Sequence, residues 1–319
     1  MAGEPLAIPF AHVPAARREG GGHRWMVWVY LALHLSLIAL WWTGISLVEL
    51  FVAFVLLQIR GFAMTVGYHR LLAHRAFRTY RWLRFVLAAI ACTSLRGGPL
   101  WWVAYHRYHH LHSDTDEDVF TAEKGFWWTY YQWLISGHYT HTDYDRVRDL
   151  RDAPELRWLN RWWLVPSLLL IVLVAIVGGP RALVTVYALS SVVLLHSLAW
   201  IDVLNHCWGW QRYETGDDSR NSWVVAFLTN GEGWHNNHHH FPASAKLGFR
   251  WWEADGGYSV LWLLSCVGLV WDLKTPPEKI LQLRLKEAST DSAADRPASN
   301  ASSNNGRPLE SLCAKVTPR

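Results

Sequence analysis

The sequence predicts an all-α integral membrane fold in which four transmembrane helices carry a cytosolic helical domain, and three observations predict it. Of 319 residues, 51% are hydrophobic, yet the mean hydropathy is only +0.03, so apolar sequence is gathered into blocks beside strongly polar segments. Many of the 22 tryptophans sit at the ends of those blocks, where an indole buries its ring and still donates a hydrogen bond to headgroups or water. Basic residues are nearly absent from two block junctions and abundant elsewhere. The net charge of +4 is too small to indicate a nucleic-acid partner, and the basic residues lie beside apolar runs rather than on an aromatic-interleaved patch.

The elements follow in order. Residues 1–24, with Arg17, Arg18 and Arg24, form a cytosolic N-terminal segment. Spans lie near 25–42 and 45–67, the second with Glu49 near its start, and near 162–178 and 182–201. The short links Thr43-Gly44 and Gly179-Pro180-Arg181 make two helical hairpins. Trp25, Trp28, Trp41, Trp42, Trp162, Trp163 and Trp200 mark the block ends. Thirteen basic residues fall between Arg70 and Arg161, so the positive-inside rule puts both termini and the long 67–161 segment in the cytoplasm. The first block has a long leader and no small-residue cleavage site, which reads as a retained span. Trp82–Leu95 and Tyr258–Trp271, fourteen residues each, are too short to cross and are expected in the interface or against the polar domain. The principal domain is 25–275, and 288–319 has too few apolar residues to offset the entropy of ordering, so a disordered tail is expected. Cys92, Cys207, Cys266 and Cys313 form no CxxC pair and imply neither a disulfide framework nor a thiolate metal site.

The 17 histidines are unevenly distributed, with fourteen between residues 69 and 240. Eight stand in three tight clusters, His69 and His74, His106 with His109 and His110, and His235 with His238 and His239, all on the predicted cytoplasmic side. On a helix, positions i, i+3 and i+4 share a face, so each of the last two clusters can converge on one point or on two neighbouring points. His69 and His74 are five apart, roughly 140° around a regular helix, and converge only if the helix end is distorted or the two approach metals from different sides. Neutral imidazole is the commonest protein metal ligand, and eight exceed what one ion accepts, so the helical domain is expected to hold a dinuclear centre. An imidazole-rich, cysteine-free site suits iron better than calcium or magnesium, and ligand type alone leaves zinc and copper open. His12, His23 and His34 are read as structural.

At these residues the chain closely resembles the membrane-bound fatty acyl desaturases of the stearoyl-CoA (delta-9) type. The resemblance rests on Gly67-Tyr-His-Arg-Leu-Leu-Ala-His74, His106-Arg-Tyr-His-His110 and Gly231-Glu-Gly-Trp-His-Asn-Asn-His-His-His-Phe-Pro242, and it covers roughly 25–275. It implies a non-haem centre of two iron ions (Fe2+), O2 as co-substrate and a fatty acyl substrate carried as acyl-CoA. It also implies electrons from a separate donor such as ferredoxin or cytochrome b5 with its reductase. The family's metal ligands fall on His69, His74, His106, His109, His110, His235, His238 and His239, with a ninth on His206. Four residues before that ninth ligand the family has an asparagine that holds a metal-bound water. Here the position is Asp202, expected to orient a water or to ligate directly. His240 falls outside the ligand set and is expected beside the centre or facing solvent. After the middle box the family continues to an Asp-Pro-His, whereas this chain reads Ser113-Asp-Thr-Asp-Glu-Asp-Val-Phe120, so no residue is assigned to coenzyme A.

The implied reaction is insertion of a cis double bond, at the delta-9 position, into a saturated chain lying in a bent apolar tunnel. Trp101, Trp102 and Trp234 are candidates to line that tunnel, and Arg70 and Arg107 are expected to pair with acidic neighbours. No haem- or flavin-binding segment is visible, so the donor is a different polypeptide. Two alternatives are a related di-iron acyl or lipid hydroxylase and a non-enzymatic metal-binding membrane protein. The second predicts histidines lining a path through the spans, where only His34 and His196 stand.

Overall fold

The computed structural model describes residues 20–121, 124–283 and 285, so the expected tail at 288–319, residues 1–19 and Cys313 lie outside the described residues. Twelve helices follow in chain order among them: α1 Met26–Thr43, α2 Leu47–Ala73, α3 Arg81–Cys92, α4 Pro99–His112, α5 128–135, α6 Pro154–Arg161, α7 165–178, α8 180–207, α9 Trp223–Leu228, α10 His235–His240, α11 Gly256–Cys266 and α12 Glu278–Gln282. A short antiparallel pair, β1 Arg78–Thr79 and β2 Val270–Trp271, ties the chain after α2 to the chain after α11, with Arg78 opposite Trp271.

Three helical runs are long and apolar enough to cross a membrane: Met26–Thr43, Leu47–Ala73 and the 43-residue Val165–Cys207. The third is broken at Gly179, where φ of 71° leaves the helical region before Pro180, and this break separates α7 from α8. Outward-facing Leu47, Phe51, Ile176 and Val177 are exposed, an apolar surface that only lipid covers favourably. This is a membrane protein. Trp28, Trp41, Trp42 and Trp162 are exposed at the helix ends, while Trp163 is buried.

Charged residues in the spans have identified partners. Glu49 closes a capping box with Ser46 at the start of α2 and accepts hydrogen bonds from Arg181 Nε at 2.8 Å and Nη2 at 2.9 Å, joining the first turns of α2 and α8. Buried Arg60 donates to Thr93 Oγ1 at 3.1 Å and to Ser190 and Ser191 Oγ at 3.2 and 3.0 Å, which locks α2 to α8 and to the end of α3. The short apolar segment at 82–95 forms α3, which buries Leu87, Ala88 and Ala91 against α2. Gly67 permits that approach, since a Cβ there would lie 3.1 Å from Leu87 Cβ.

The lower half of α2, Ala63–Ala73, is a fully buried π-helix with i→i+5 hydrogen bonding. Its Arg70 is held at the Nη1 end by Asp255 and the Ala245 carbonyl and at the Nη2 end by Glu232 and the Asn230 carbonyl, while Asp255 also caps α11. One buried ion-paired group therefore joins α2, the turn before α10 and the start of α11. That turn is Gly231-Glu-Gly-Trp234, in which Gly231 has φ of 103° and a Cβ on Gly233 would lie 2.1 Å from the Ala226 backbone nitrogen.

Gly233→Ala is therefore expected to destabilise the protein by about 1–3 kcal/mol, because the backbone of α9 has no room to give. Thermal unfolding in detergent reads this as a lowered Tm, and an unchanged Tm contradicts the close packing.

Candidate metal centre

The π-helix settles the odd spacing of the first box. In a regular helix His69 and His74 diverge, but the i→i+5 bond from the His74 N–H to the His69 carbonyl, 3.1 Å long, brings residues five apart onto nearly the same side. Their ring centroids lie 4.8 Å apart. The other boxes split by helical geometry. His106 and His110, one i+4 step apart on α4, face one group, while His109 faces the other. On α10, His235 and His239 are the i+4 pair and His238 turns the opposite way.

The result is two clusters, His69, His74, His106, His110 and His238 in one and His109, His206, His235 and His239 in the other, with the ligand atoms of each within 4.8 Å of one another. α2, α4 and α10 build the first, and α4, α8 and α10 the second. All nine histidines suggested by the sequence are thus brought together, and the second and third boxes each serve two points rather than one.

The donor set fits metal ions. In the first cluster the Nε2 atoms stand 2.8 Å apart for His74 and His106, 3.1 Å for His106 and His110, and 3.0 Å for His110 and His238 and for His69 and His238. Adjacent ligands at roughly 2.1 Å from one ion lie about 3 Å apart, the same spacing. In the second cluster His206 and His235 Nε2 are 3.1 Å apart, and His239 Nε2 is buried without a hydrogen-bond partner among the described residues.

Carboxylates set the tautomers. Nδ1 of His69 lies 2.7 Å from Glu232 Oε2, while Nδ1–H of His109 donates to Asp118 at 2.9 Å, that of His206 to Asp114 at 2.9 Å and that of His239 to Asp217 at 2.6 Å. An imidazole whose Nδ1 carries the proton presents an Nε2 lone pair, so these four rings aim donors inward. Burial raises the Asp114 and Asp217 carboxyls, but the neighbouring His206 and His239 outweigh it and hold both below the usual range. Burial, reinforced by the neighbouring imidazoles, pushes His74, His106, His110, His235 and His238 well below the ordinary histidine range, which keeps them neutral and able to ligate.

No sequence motif singles out these carboxylates. Their signal is acidic residues close to the boxes, Asp114 and Asp118 in the acidic run and Glu232 within the third box, whereas Asp217 comes from a separate loop. The two asparagines between His235 and His238 hold α10 in place. Asn236 Oδ1 accepts from the backbone N–H of Arg212 and Tyr213, and Asn237 Nδ2 donates to the Leu247 carbonyl and Glu253.

Other expected residues fall elsewhere. Asp202 belongs to neither cluster; it accepts from Arg96 Nη2 and lines a cavity beside His109, His206 and His235. His240 is half-buried and belongs to neither cluster; it stacks on Tyr213 at 3.9 Å and lies 2.8 Å from the Ile280 carbonyl. Trp102 lines the cavity and stacks on His106 at 4.7 Å, whereas Trp101 is packed against Trp133 and Trp234 donates to the Ala254 carbonyl. Arg107 forms a bidentate pair with Asp149 at 2.7 and 3.0 Å.

Residues 41–262 match the model of the fatty acid desaturase family. The chain belongs to that family. It is 36% identical over 280 residues to the sn-2 palmitoyl-lipid 9-desaturase of Nostoc sp. (strain 36), covering 85% of this chain and 98% of the relative. It is 37% identical over 253 residues to the sn-1 stearoyl-lipid 9-desaturase of Anabaena variabilis, covering 78% and 93%. The acyl-CoA C20 Delta5-desaturase of Anemone leveillei is 37% identical over 232 residues, covering 71% and 74%. The protein is a desaturase, and so an oxidoreductase.

Two predictions follow from the geometry of this desaturase. Asp118→Ala frees the His109 ring and is expected to weaken metal binding about 10–100-fold in a chelator competition, and unchanged affinity contradicts the orienting role. The five depressed imidazoles take up protons in the unfolded chain near 6.5 but not in the folded one. Below that pH these five groups bind more protons in the unfolded state, so the metal-stripped protein loses stability as pH falls below about 6.5, read as a falling Tm. Burial lowers His206, but Asp114 outweighs it and raises the ring to about 9, so His206 acts in the opposite sense and weakens the fold only as pH rises toward 9. A Tm that rises on acidification contradicts this.

Proposed function

We propose that this desaturase inserts a cis double bond at the delta-9 position of a saturated acyl chain, using O2 and two electrons from a separate redox protein. The balance is one saturated –CH2–CH2– unit, O2, two electrons and two protons giving –CH=CH– and two waters. The observation that carries this reading is the pairing of two imidazole clusters with a cavity that reaches them. Removal of hydrogen from an unactivated methylene is beyond any side chain, and two bound irons supply the oxidising chemistry with O2.

The chain's own residues do the rest. The ligand set is His69, His74, His106, His110 and His238 for one ion and His109, His206, His235 and His239 for the other. Glu232, Asp118, Asp114 and Asp217 hold the Nδ1 protons, which fixes the rings before metal arrives. Asp202, one turn before His206, stands at the cluster with fewer imidazoles and orients water there. Trp102, stacked on His106, forms an apolar wall beside the reacting carbons.

We place α1, α2, α7 and α8 as four spans, with the termini and the metal centre on the cytoplasmic side. The break at Gly179 and the excess length of the 43-residue run support two crossings there, and the basic 67–161 segment supports the orientation. For the acyl carrier, relatives matched over nearly their whole length are named for lipid-bound substrates, which favours a glycerolipid. The acyl-CoA relative favours a coenzyme A thioester as the second reading.

Expression in a desaturase-deficient host, with double bonds mapped in total fatty acids, is expected to yield delta-9 monounsaturated chains. A hydroxylated chain without an alkene, or no new product in a host that supplies a working donor, overturns the reading. Membranes given labelled acyl-CoA or labelled glycerolipid separate the two carriers by which label first acquires the double bond.

A further inference from the structure

A second cavity, of about 320 Å³, lies between α1, α5 and α8, with Leu31, Leu134, Leu195 and Ala199 in its walls. Arg96 lines both this cavity and the one beside the metal clusters, so it stands at the seam between them. Arg96 is only 4% exposed, and its Nη2 donates to Asp202. Its Nε has no hydrogen-bond partner, and no partner for Nη1 is found among the described residues.

Polar groups also line the apolar side. His34 Nδ1 lies 2.6 Å from the Tyr30 carbonyl, which only accepts, so that nitrogen carries the proton. In the neutral ring His34 Nε2 is then an acceptor, and His196 Nε2–H donates to it across 2.9 Å. His196 Nδ1 is left to accept from the Tyr130 hydroxyl at 2.7 Å. The ladder is complete, every imidazole nitrogen in it is used, and the Tyr130 oxygen retains only acceptor capacity.

A saturated hydrocarbon satisfies neither a buried guanidinium N–H nor a phenol oxygen, and leaving such groups unpaired beside methylenes is costly. Unpaired donors on Arg96 and the acceptor oxygen of Tyr130, two residues that line one largely apolar cavity, match a hydroxyl group. Resting on the desaturase reading, we propose that the seam is a binding subsite for an oxygen-bearing acyl chain, in which a chain hydroxyl accepts from Arg96 Nη1 and donates to the Tyr130 oxygen. The seam then admits hydroxy-substituted acyl groups alongside the unsubstituted saturated chain, and Arg96 and Tyr130 are specificity-determining residues for them. Groups that bond a hydroxyl favour the hydroxylated chain over the analogue lacking it.

The test is competition for labelled methyl stearate on the purified full chain in detergent, using methyl monohydroxystearates with the hydroxyl moved along the chain. Methyl esters remove the carboxylate that would otherwise seek Arg96. At least one isomer is expected to compete about tenfold or more better than unlabelled methyl stearate. In Arg96→Met and in Tyr130→Phe that ratio is expected to fall below about threefold, and if one variant fails to fold, the other decides. No isomer with an advantage, or an advantage that persists in the folded variants, overturns the proposal. The ratio is read without turnover, so loss of double-bond formation with the ratio intact counts against desaturation alone.

Discussion

Nine imidazoles must be neutral, buried and aimed at two points at once, and the rest of the structure follows from that constraint. A histidine left to itself can turn either nitrogen inward and can take up a proton. Burial and mutual repulsion remove the proton from His74, His106, His110, His235 and His238, and for four rings a carboxylate outside the cluster fixes which nitrogen faces in. The carboxylates are themselves anchored: Glu232 also accepts from Arg70, and Asp118 also accepts from the backbone N–H groups of Asp114 and Phe120. Much of the polar cap therefore serves to orient imidazoles.

The same constraint explains local oddities of the helices. α2 gives up regular hydrogen bonding over Ala63–Ala73 so that His69 and His74 can face together, and the segment is buried throughout, where α3 and α4 hold it in that form. α4 and α10 each send i+4 partners to one cluster and a third histidine to the other. Six residues of α10 would not be a stable helix alone, and Asn236 and Asn237 hold it by bonds to the 212–221 and 247–253 segments.

Much of this was legible in the sequence because the relevant signals are local. Apolar blocks ending in tryptophan gave the membrane helices, and close histidine spacings gave the clusters, since both depend on neighbours within a few residues. The partition of His106, His109 and His110 between two points was open from spacing alone and is decided by where α2 and α8 stand. The π-helix was not legible, because 140° of divergence in a regular helix gives no hint of its remedy. Asp217 on His239 and Arg96 on Asp202 are contacts between segments far apart in the chain, which no spacing reveals. His240, next to His239 in the chain, is carried by the turn of α10 onto Tyr213 instead.

The central claim is that nine histidines hold two ions in unequal sets of five and four. It is tested most directly by metal analysis of the purified full-length protein from iron-supplemented cells, alongside His74→Ala and His235→Ala, which each remove one ligand from a different cluster. The account predicts about two equivalents of iron per chain in the wild type and about one in each variant, with the remaining ion retained. One equivalent or none in the wild type, or loss of both ions together in both folded variants, would contradict two independently built sites.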